Sequence, residues 1–510
     1  MEKRITTYRN RNNPVRAMQG LVNYKKVCSF LGVRFVSLQA SLEAERKKGF
    51  FKQNRWRFSR KAKGLIVFAI ITVMLISIFA FLPKLNNSTP NNPTASPSDT
   101  SQGTNNQTSS SNALSALVQA ISNVVGSAAQ AFSPPKAPGV IASAQTINST
   151  VWRAVAANAW QYFQPGVGVD STTGLPLTYF TDWDLGVYIQ AVIDAQNLNL
   201  TTTDGAWGSY ARLDKVLTWL ETRELNNASY PYWFYQATDG EDYHADSDKA
   251  TAPVDVVDTG RLFVALNNLR VFNSSLASRI NNIVLYGQNN GRSNYTALVP
   301  GIKSDILVST SIYSYYFDSG FASFWPNDLP NASTILNNIL NAGNVTTPQG
   351  VLLPKASILG DPLLCSVFEL NNNDSRLMAL ANQVYLAHEA YYNATGRQYR
   401  AFSEGSSLTT QWVYEWVVLP DGRTWVVLNE NGSDFNMTPV IYTKVAMGFL
   451  AIYNTTFARN MVVYLENALP TPANGYSEGV DESGTLLTMA GDLTNGLIIG
   501  AARYAIQNNP

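Results

Sequence analysis

From about residue 150 to the C-terminus, apolar side chains recur every three or four residues, and polar loops separate these runs. This spacing predicts ten or more amphipathic helices in one domain, residues 150–510. Three of the helices begin behind a capping residue, namely Ser149 or Thr150, Thr181 or Asp182, and Asp258 or Thr259. Further helices are predicted near 213–220, 276–287, 305–317, 333–342, 375–393, 439–453 and 492–507.

One segment departs from the helical pattern. Residues 411–429 alternate apolar and polar side chains around a Pro-Asp-Gly turn, which predicts a β-hairpin. The length of the domain suits twelve helices at roughly 30 residues per helix and loop. We therefore expect an all-α fold, a closed double ring of helices with a small β-hairpin.

A different apolar pattern precedes this domain. Residues 64–82 form a run of 19 residues without a charge, long enough to span the ~30 Å core of a bilayer as one helix. A cleaved signal peptide would have a shorter apolar core nearer the start of the chain. We predict a single uncleaved transmembrane helix, preceded by a basic cytoplasmic segment over residues 1–63.

The distribution of charge supports this topology. Residues 1–63 hold 17 Lys/Arg and 3 Asp/Glu, residues 64–149 hold 2 and 1, and residues 150–510 hold 18 and 32. Basic residues stay on the cytoplasmic side, so the acidic domain is predicted to lie outside the cell membrane. Sequons for N-glycosylation number 15, and none lies before the apolar run. The basic segment is expected to contact anionic lipid, not nucleic acid.

Residues 83–149 are predicted to connect the membrane to the domain. Residues 85–112 contain a single charge and no aromatic side chain, so they cannot bury enough surface to fold and form a tether. Residues 113–132 have mild helical periodicity and are predicted to form a stalk helix.

The composition narrows the chemistry. The chain has two histidines, His244 and His388, and two cysteines, Cys28 and Cys365. These few residues offer little for a catalytic triad, a Cys-His pair or a zinc site, all of which need histidine or cysteine. No glycine-rich phosphate loop follows a predicted strand. Carboxylates at loop-to-helix junctions and 58 aromatic residues remain. That combination is typical of proteins that bind sugar rings on aromatic faces and cleave glycosidic bonds with two carboxyl groups. We expect no cofactor and no metal.

Several segments carry a family resemblance. These segments are, in order along the chain, TDWDLGVYIQAVIDAQNLNL (181–200), RLDKVLTWLETREL (212–225), YPYWFYQATDGE (230–241), VDVVDTGRLFVALNNLR (254–270), GYSEGVDESG (475–484) and LTNGLII (493–499). The chain thereby resembles the glycoamylase-like helical toroid domains, including the domain attached to cyclic β-1,2-glucan synthases. It resembles still more a domain-of-unknown-function family of exported proteins often encoded with polysaccharide synthases. The resemblance implies an (α/α)6 fold and a polysaccharide or glycan as partner.

The candidate catalytic residues are acids that lie at predicted helix starts or beside a glycine, and the family resemblance supports the choice. They are Asp258 and Glu404, with Asp184 as a third member. Each has an alternative role as a helix cap or loop residue.

The candidate substrate-binding residues are of two kinds. Five are aromatic residues beside loop acids, namely Trp183, Trp233, Tyr235, Trp325 and Trp412, and two are loop acids, Asp318 and Glu478. Glu415, which alternates with aromatic residues in the hairpin, is expected on a solvated strand face. The rival to a hydrolase is a non-catalytic sugar-binding or structural protein of the cell envelope, with its acids scattered or paired with arginines.

Overall fold

The computed structural model describes residues 139–243, 254–286, 294–371, 374–407, 411–470 and 473–508. The predicted basic segment (1–63), membrane helix (64–82), tether and stalk helix lie outside these ranges. Within them, no helix combines the length and the apolar character that crossing a membrane requires.

The described residues are mostly helical, as predicted. Their α-helices are α1 (Val140–Ser143), α2 (Ser149–Trp160), α3 (Asp182–Asn197), α4 (Ser209–Thr222), α5 (Val256–Phe272), α6 (Ala277–Val284), α7 (Val299–Val308), α8 (Ile312–Phe324), α9 (Ser333–Asn341), α10 (Gly360–Glu369), α11 (Ser375–Ala394), α12 (Thr443–Tyr453), α13 (Thr456–Ala468) and α14 (Asp492–Asn508).

Six of these helices close a ring. Helix α3 packs against α5, α5 against α8, α8 against α10, α10 against α12, α12 against α14, and α14 returns to α3. Six further helices pack outside this ring: α2 on α14, α4 on α3, α6 on α5, α9 on α8, α11 on α10 and α13 on α12. Apart from α7, which packs on α8 and α9, outer and inner helices alternate along the chain from α2 to α14, the arrangement expected of a double ring.

The helices differ from the prediction in several places. The single helix expected over 305–317 is broken into α7 and α8, because the Ser309 hydroxyl accepts a hydrogen bond from the Ser311 amide and the Ser311 hydroxyl caps Tyr313. Helices α10 and α13 were not predicted from the sequence. All residues of α10 are buried, so it has no polar face to reveal a helical period.

There is also more strand than the one hairpin predicted. The strands are β1 (Tyr179–Phe180), β2 (Tyr235–Gln236), β3 (Asn344–Thr346), β4 (Leu352–Pro354), β5 (Glu404–Ser406), β6 (Trp412–Val418), β7 (Thr424–Asn429), β8 (Val440–Tyr442), β9 (Ser477–Asp481) and β10 (Leu486–Ala490). The predicted hairpin is β6–β7, and β5 pairs with its β6 edge. Strands β8, β9 and β10 form a second antiparallel sheet in the order β10-β9-β8.

Alternation along β6 decides where its side chains lie. Val413, Glu415 and Val417 are buried on one face, and the aromatic residues Trp412, Tyr414 and Trp416 alternate with them. The expectation that Glu415 lies on a solvated face is wrong: its Oε1 accepts a 2.6 Å hydrogen bond from the backbone amide of Val440.

Inside the ring, two buried ion pairs join four of the inner helices. Arg503 of α14 pairs with Asp194 of α3 at 2.7 Å, and Arg261 of α5 pairs with Glu369 of α10 at 2.6 Å. The Tyr316 hydroxyl donates to Glu369 at 2.6 Å. Each carboxylate here has a cationic partner, so this layer is balanced in charge and serves to hold the ring together.

Candidate functional site

The inner helices place their N-termini at one end of the ring. Acids and partners from their first turns or adjoining strands form a group that we name the acidic site: Asp184, Asp258, Asp361, Glu404, Lys444, Glu478 and Asp492. Electrostatic interactions link its members across helix boundaries. Partial positive charge at each helix N-terminus favours anionic groups there.

Asp184 both caps its helix and contacts another acid. Its Oδ2 accepts a 2.8 Å hydrogen bond from the Thr181 amide, while the Thr181 hydroxyl accepts one from the Trp183 amide. The side chain also hydrogen-bonds to Asp492. Burial raises the pKa of Asp184 well above its ordinary value, and the Asp492 charge raises it further. The capping role and the site role therefore belong to one side chain.

Asp182, two residues earlier, has a structural role. Its carboxylate accepts from Arg223 at 2.5 Å and from the Thr259 hydroxyl at 3.3 Å, and all three side chains are buried. The Arg223 guanidinium also donates to the hydroxyl of Tyr295. The ion pair ties the start of α3 to the end of α4, and the Thr259 hydrogen bond ties it to the start of α5.

Asp258 is not the cap of α5. That role falls to Asp255, whose Oδ1 accepts from the Val257 amide at 2.9 Å and from the Asp258 amide at 3.1 Å. The Asp258 side chain is half-buried and hydrogen-bonds to Thr181. Burial raises its pKa well above the ordinary value, with further contributions from Asp255 and Asp184. Asp258 and Asp184 thus meet at one threonine.

Glu404 enters the site from β5. It is buried, and the indole N–H of Trp412 lies 3.4 Å from its Oε2. Burial and the neighbouring Asp361 raise its pKa to about 7, against the opposing effect of Lys444. Such a carboxyl group holds a proton near neutral pH and can still release it.

Tyr414 interacts with acids from β5 and from the start of α5. Its pKa is raised by burial first and then by the charges of Glu404, Asp258 and Asp255. Tyr414 comes from the aromatic face of β6, and its ring is 6.5 Å from that of Tyr313. The structure thus brings Asp184, Asp258 and Glu404 to one end of the ring, with aromatic side chains beside them.

Three further members of the site were not predicted from the sequence. Lys444 of α12 donates to Asp361 of α10, and both are buried. Asp492 begins α14 and hydrogen-bonds to Asp184. Asp361 and Asp492 carry the same signal that singled out Asp184, an acid in the first turn of a helix.

The predicted substrate-binding residues separate into two groups. At the site lie Trp412, Glu478 and Trp183. The Glu478 Oε2 accepts a 2.9 Å hydrogen bond from the Thr494 hydroxyl, and the pKa of Glu478 is raised by burial against the opposing effect of Lys444. The Trp183 ring packs 6.0 Å from that of Tyr313.

The other four lie elsewhere. Tyr235 is a core residue whose hydroxyl donates to the Glu224 carbonyl at 2.8 Å. Trp325 packs in the core against Phe321. Asp318 is fully buried beside Asp305 of α7. Trp233 is exposed, with its ring next to that of Phe234. Adjacency to a loop acid in sequence did not bring these side chains to the acidic site.

Histidine and cysteine contribute no reactive group among the described residues. His388 is buried, with Nδ1 2.8 Å from the Val384 carbonyl, and burial lowers its pKa to about 4. Burial and the adjacent Asp361 raise the pKa of Cys365 well above its ordinary value. No group of three or more His, Cys, Asp or Glu side chains in the described ranges is arranged to hold a metal ion.

Fold and site together define a helical double-ring protein with acids and aromatic rings gathered where the inner helices begin. The chain belongs to the family described as Protein of unknown function (DUF3131), whose model matches residues 154–508. No curated protein sequence matches the chain.

Solved structures give weaker likenesses. An endo-β-1,2-glucanase from Talaromyces funiculosus, in complex with sophorose, is 11% identical, with a TM-score of 0.49 over 73% of this chain and 89% of that one. An endo-β-1,2-glucanase from Chitinophaga pinensis, with sophorotriose and glucose, is 12% identical, with a TM-score of 0.47 over 72% of this chain and 96% of that one. At these values the likenesses assign no activity to this chain.

Proposed function

We propose that this protein is a membrane-anchored, extracytoplasmic glycoside hydrolase-like protein that acts on a polysaccharide or glycan. The observation that carries the proposal is the gathering of Glu404, Asp258 and Asp184 at one end of the helical ring, around Tyr414 and Trp412. The rival, a non-catalytic protein, requires these acids to be scattered or neutralised by arginines. Arg261 instead pairs with Glu369, away from them.

In the proposed reaction Glu404 is the general acid. A proton passes from its carboxyl group to the glycosidic oxygen as the carbon–oxygen bond breaks. A pKa of about 7 suits this step, because the group is protonated near neutral pH and gives up its proton readily.

A second carboxylate, which also interacts with Tyr414, is the proposed base. Asp258, with Asp184 as the third member, accepts a proton from the water that forms the new bond to the sugar carbon. Burial raises the pKa of both acids well above the ordinary value, and the charge of Asp184 raises that of Asp258 further. Both are half-buried and so open to solvent.

The location proposed for this activity rests on residues 1–82 and on the sequons. The described sequon asparagines are exposed except Asn273, which is half-buried, so they are accessible to glycan attachment: Asn148, Asn199, Asn227, Asn294, Asn331, Asn344, Asn393, Asn431, Asn436 and Asn454.

The test is a glycan screen with the full chain solubilised in detergent. The panel holds α- and β-linked glucans, including β-1,2-glucan, and chitin and mannan oligosaccharides, with released reducing ends as the measurement. We expect cleavage of at least one glycan and its loss in the double variant Asp258→Asn, Glu404→Gln. The exposed Asp204→Asn serves as the matched control.

The outcomes separate the two classes of protein. Unchanged cleavage by a folded double variant would overturn the proposal. Glycan binding without cleavage, at the same affinity in wild type and double variant, would favour the sugar-binding rival.

A further inference from the structure

Lys444 has an unusual position for a lysine. It is the second residue of α12, its side chain has no exposed surface, and its ammonium group donates to Oδ2 of Asp361. The ammonium also lies 5.7 Å from the centre of the Tyr442 ring. Burying a lysine is costly unless the surroundings compensate for its lost hydration, so several interactions must hold it there.

Those interactions come from three elements of the acidic site. Lys444 interacts with Asp361 of α10, Glu478 of β9 and Glu404 of β5. Three buried arginines are engaged elsewhere, since Arg223 pairs with Asp182, Arg261 with Glu369 and Arg503 with Asp194. Among these buried cations, Lys444 is therefore the one that faces Glu404.

We propose that Lys444 is a positioning residue for Glu404: its ammonium group holds the Asp361 carboxylate in place and balances it, so that Glu404 can release its proton. This inference rests on the proposed function for its catalytic meaning, but the ionisation of Glu404 can be measured without any substrate.

The groups that face Glu404 exert opposing effects. Asp361 of α10 raises the pKa of Glu404, and Lys444 of α12 lowers it. Tyr313 of α8 and the indole of Trp412 stabilise the ionised form. Two further groups that interact with Glu404 are Tyr414 of β6 and Tyr442 of β8. Removing one member of the Lys444–Asp361 pair must therefore shift the titration of Glu404 in a direction that identifies the member removed.

The experiment follows the fluorescence of Trp412, whose indole N–H lies 3.4 Å from Glu404 Oε2. The full chain in detergent is titrated from pH 4 to 10, and the curve of the Glu404→Gln variant is subtracted to isolate the Glu404 transition. We expect Asp361→Asn to move the midpoint to lower pH and Lys444→Met to move it to higher pH, each by about one unit.

The double variant Lys444→Met, Asp361→Asn provides the test if a single variant misfolds, because it removes both charges of the pair and leaves neither unpaired. Its midpoint is expected between those of the two single variants. Where a hydrolysed glycan is known, the alkaline limb of the kcat/KM profile should move in the same directions.

A purely structural role predicts a different result. Lys444→Met and Asp361→Asn would then lower the unfolding temperature and leave the midpoint unchanged, or shift it in the same direction, and either result overturns the inference. A double variant that folds and has the same midpoint as Lys444→Met would also overturn the inference. If the glycan screen fails but the midpoints move oppositely, the proposed function falls and the role of Lys444 in setting the ionisation of Glu404 stands.

Discussion

The carboxyl groups of Asp184 and Asp492 hydrogen-bond to each other where the last inner helix packs against the first. A hydrogen bond between two carboxyl groups needs a proton on one of them, because an ionised carboxylate has no donor. Burial raises the pKa of both, and the Asp492 charge raises that of Asp184 further. The pair therefore keeps a proton at pH values where an exposed aspartate has lost it.

This shared proton makes stability depend on pH. The folded chain holds a proton that the unfolded chain releases near pH 4, so the contribution of the pair is complete below that pH and declines as the pH rises. In Asp492→Asn the amide donates to an ionised Asp184, so stability should decline less with rising pH. The measurement is the free energy of unfolding in urea at pH 5 and at pH 8. An equal loss of this free energy between the two pH values in wild type and variant would contradict the prediction, and Asp204→Asn is the control.

Asp318 predicts a second pH effect, away from the acidic site. It is fully buried, and burial with the nearby Asp305 raises its pKa to about 9. Between about pH 4 and 9 the folded chain keeps this proton and the unfolded chain does not, so the group costs stability as the pH rises, by up to about 1.4 kcal/mol per pH unit. Asp318→Asn keeps a donor toward Asp305 and removes this dependence.

The advantage of Asp318→Asn over wild type should therefore grow from pH 5 to pH 8 in thermal unfolding. A constant difference between the two proteins across that range would show that Asp318 is ionised in the folded chain.

Close backbone packing of α5 on α8 gives a third prediction. A β-carbon on Gly320 would lie 2.1 Å from the Gly260 carbonyl oxygen and 3.0 Å from the Val264 amide nitrogen, both backbone atoms. Gly320→Ala must therefore push the two helices apart, and we expect a loss of roughly 1–3 kcal/mol in unfolding free energy. The shift also moves the helix that carries Asp258.

Gly301→Ala is the matched control, since nothing lies within 4 Å of a β-carbon at that position in α7. It should stabilise the chain by about 0.5–1 kcal/mol through helix propensity. A loss of unfolding free energy in Gly320→Ala no larger than that caused by substitutions of exposed residues would contradict the close packing.

Much of the fold could be predicted because helix starts carry local signals. Thr181 with Asp184 forms a capping box, and such caps place a helix N-terminus within a residue or two. The site followed from the same signal, since acids at the starts of inner helices come together once the ring closes. Asp258 was found in this way, although Asp255 is the true cap.

The rest of the site depends on contacts between distant parts of the chain. Lys444 and Asp361 are 83 positions apart, and no local pattern relates them. An aromatic residue beside a loop acid can face the core or the site, and only packing decides which. Trp325 and Tyr235 are buried in the core, whereas Trp412 lies beside Glu404 because alternation along β6 places it on the aromatic face.

The proposed location outside the membrane gives the last prediction. In a eukaryotic host that attaches N-glycans, the full chain should migrate well above 56.0 kDa and return to that mass after enzymatic removal of the glycans. The exposed Asn331 and Asn431 lie in loops and are sites at which Asn→Gln should each remove one step of the shift. The half-buried Asn273 caps a helical turn, so it serves as the comparison site. A chain of unmodified mass, fully protected from protease in intact cells, would place the domain on the cytoplasmic side.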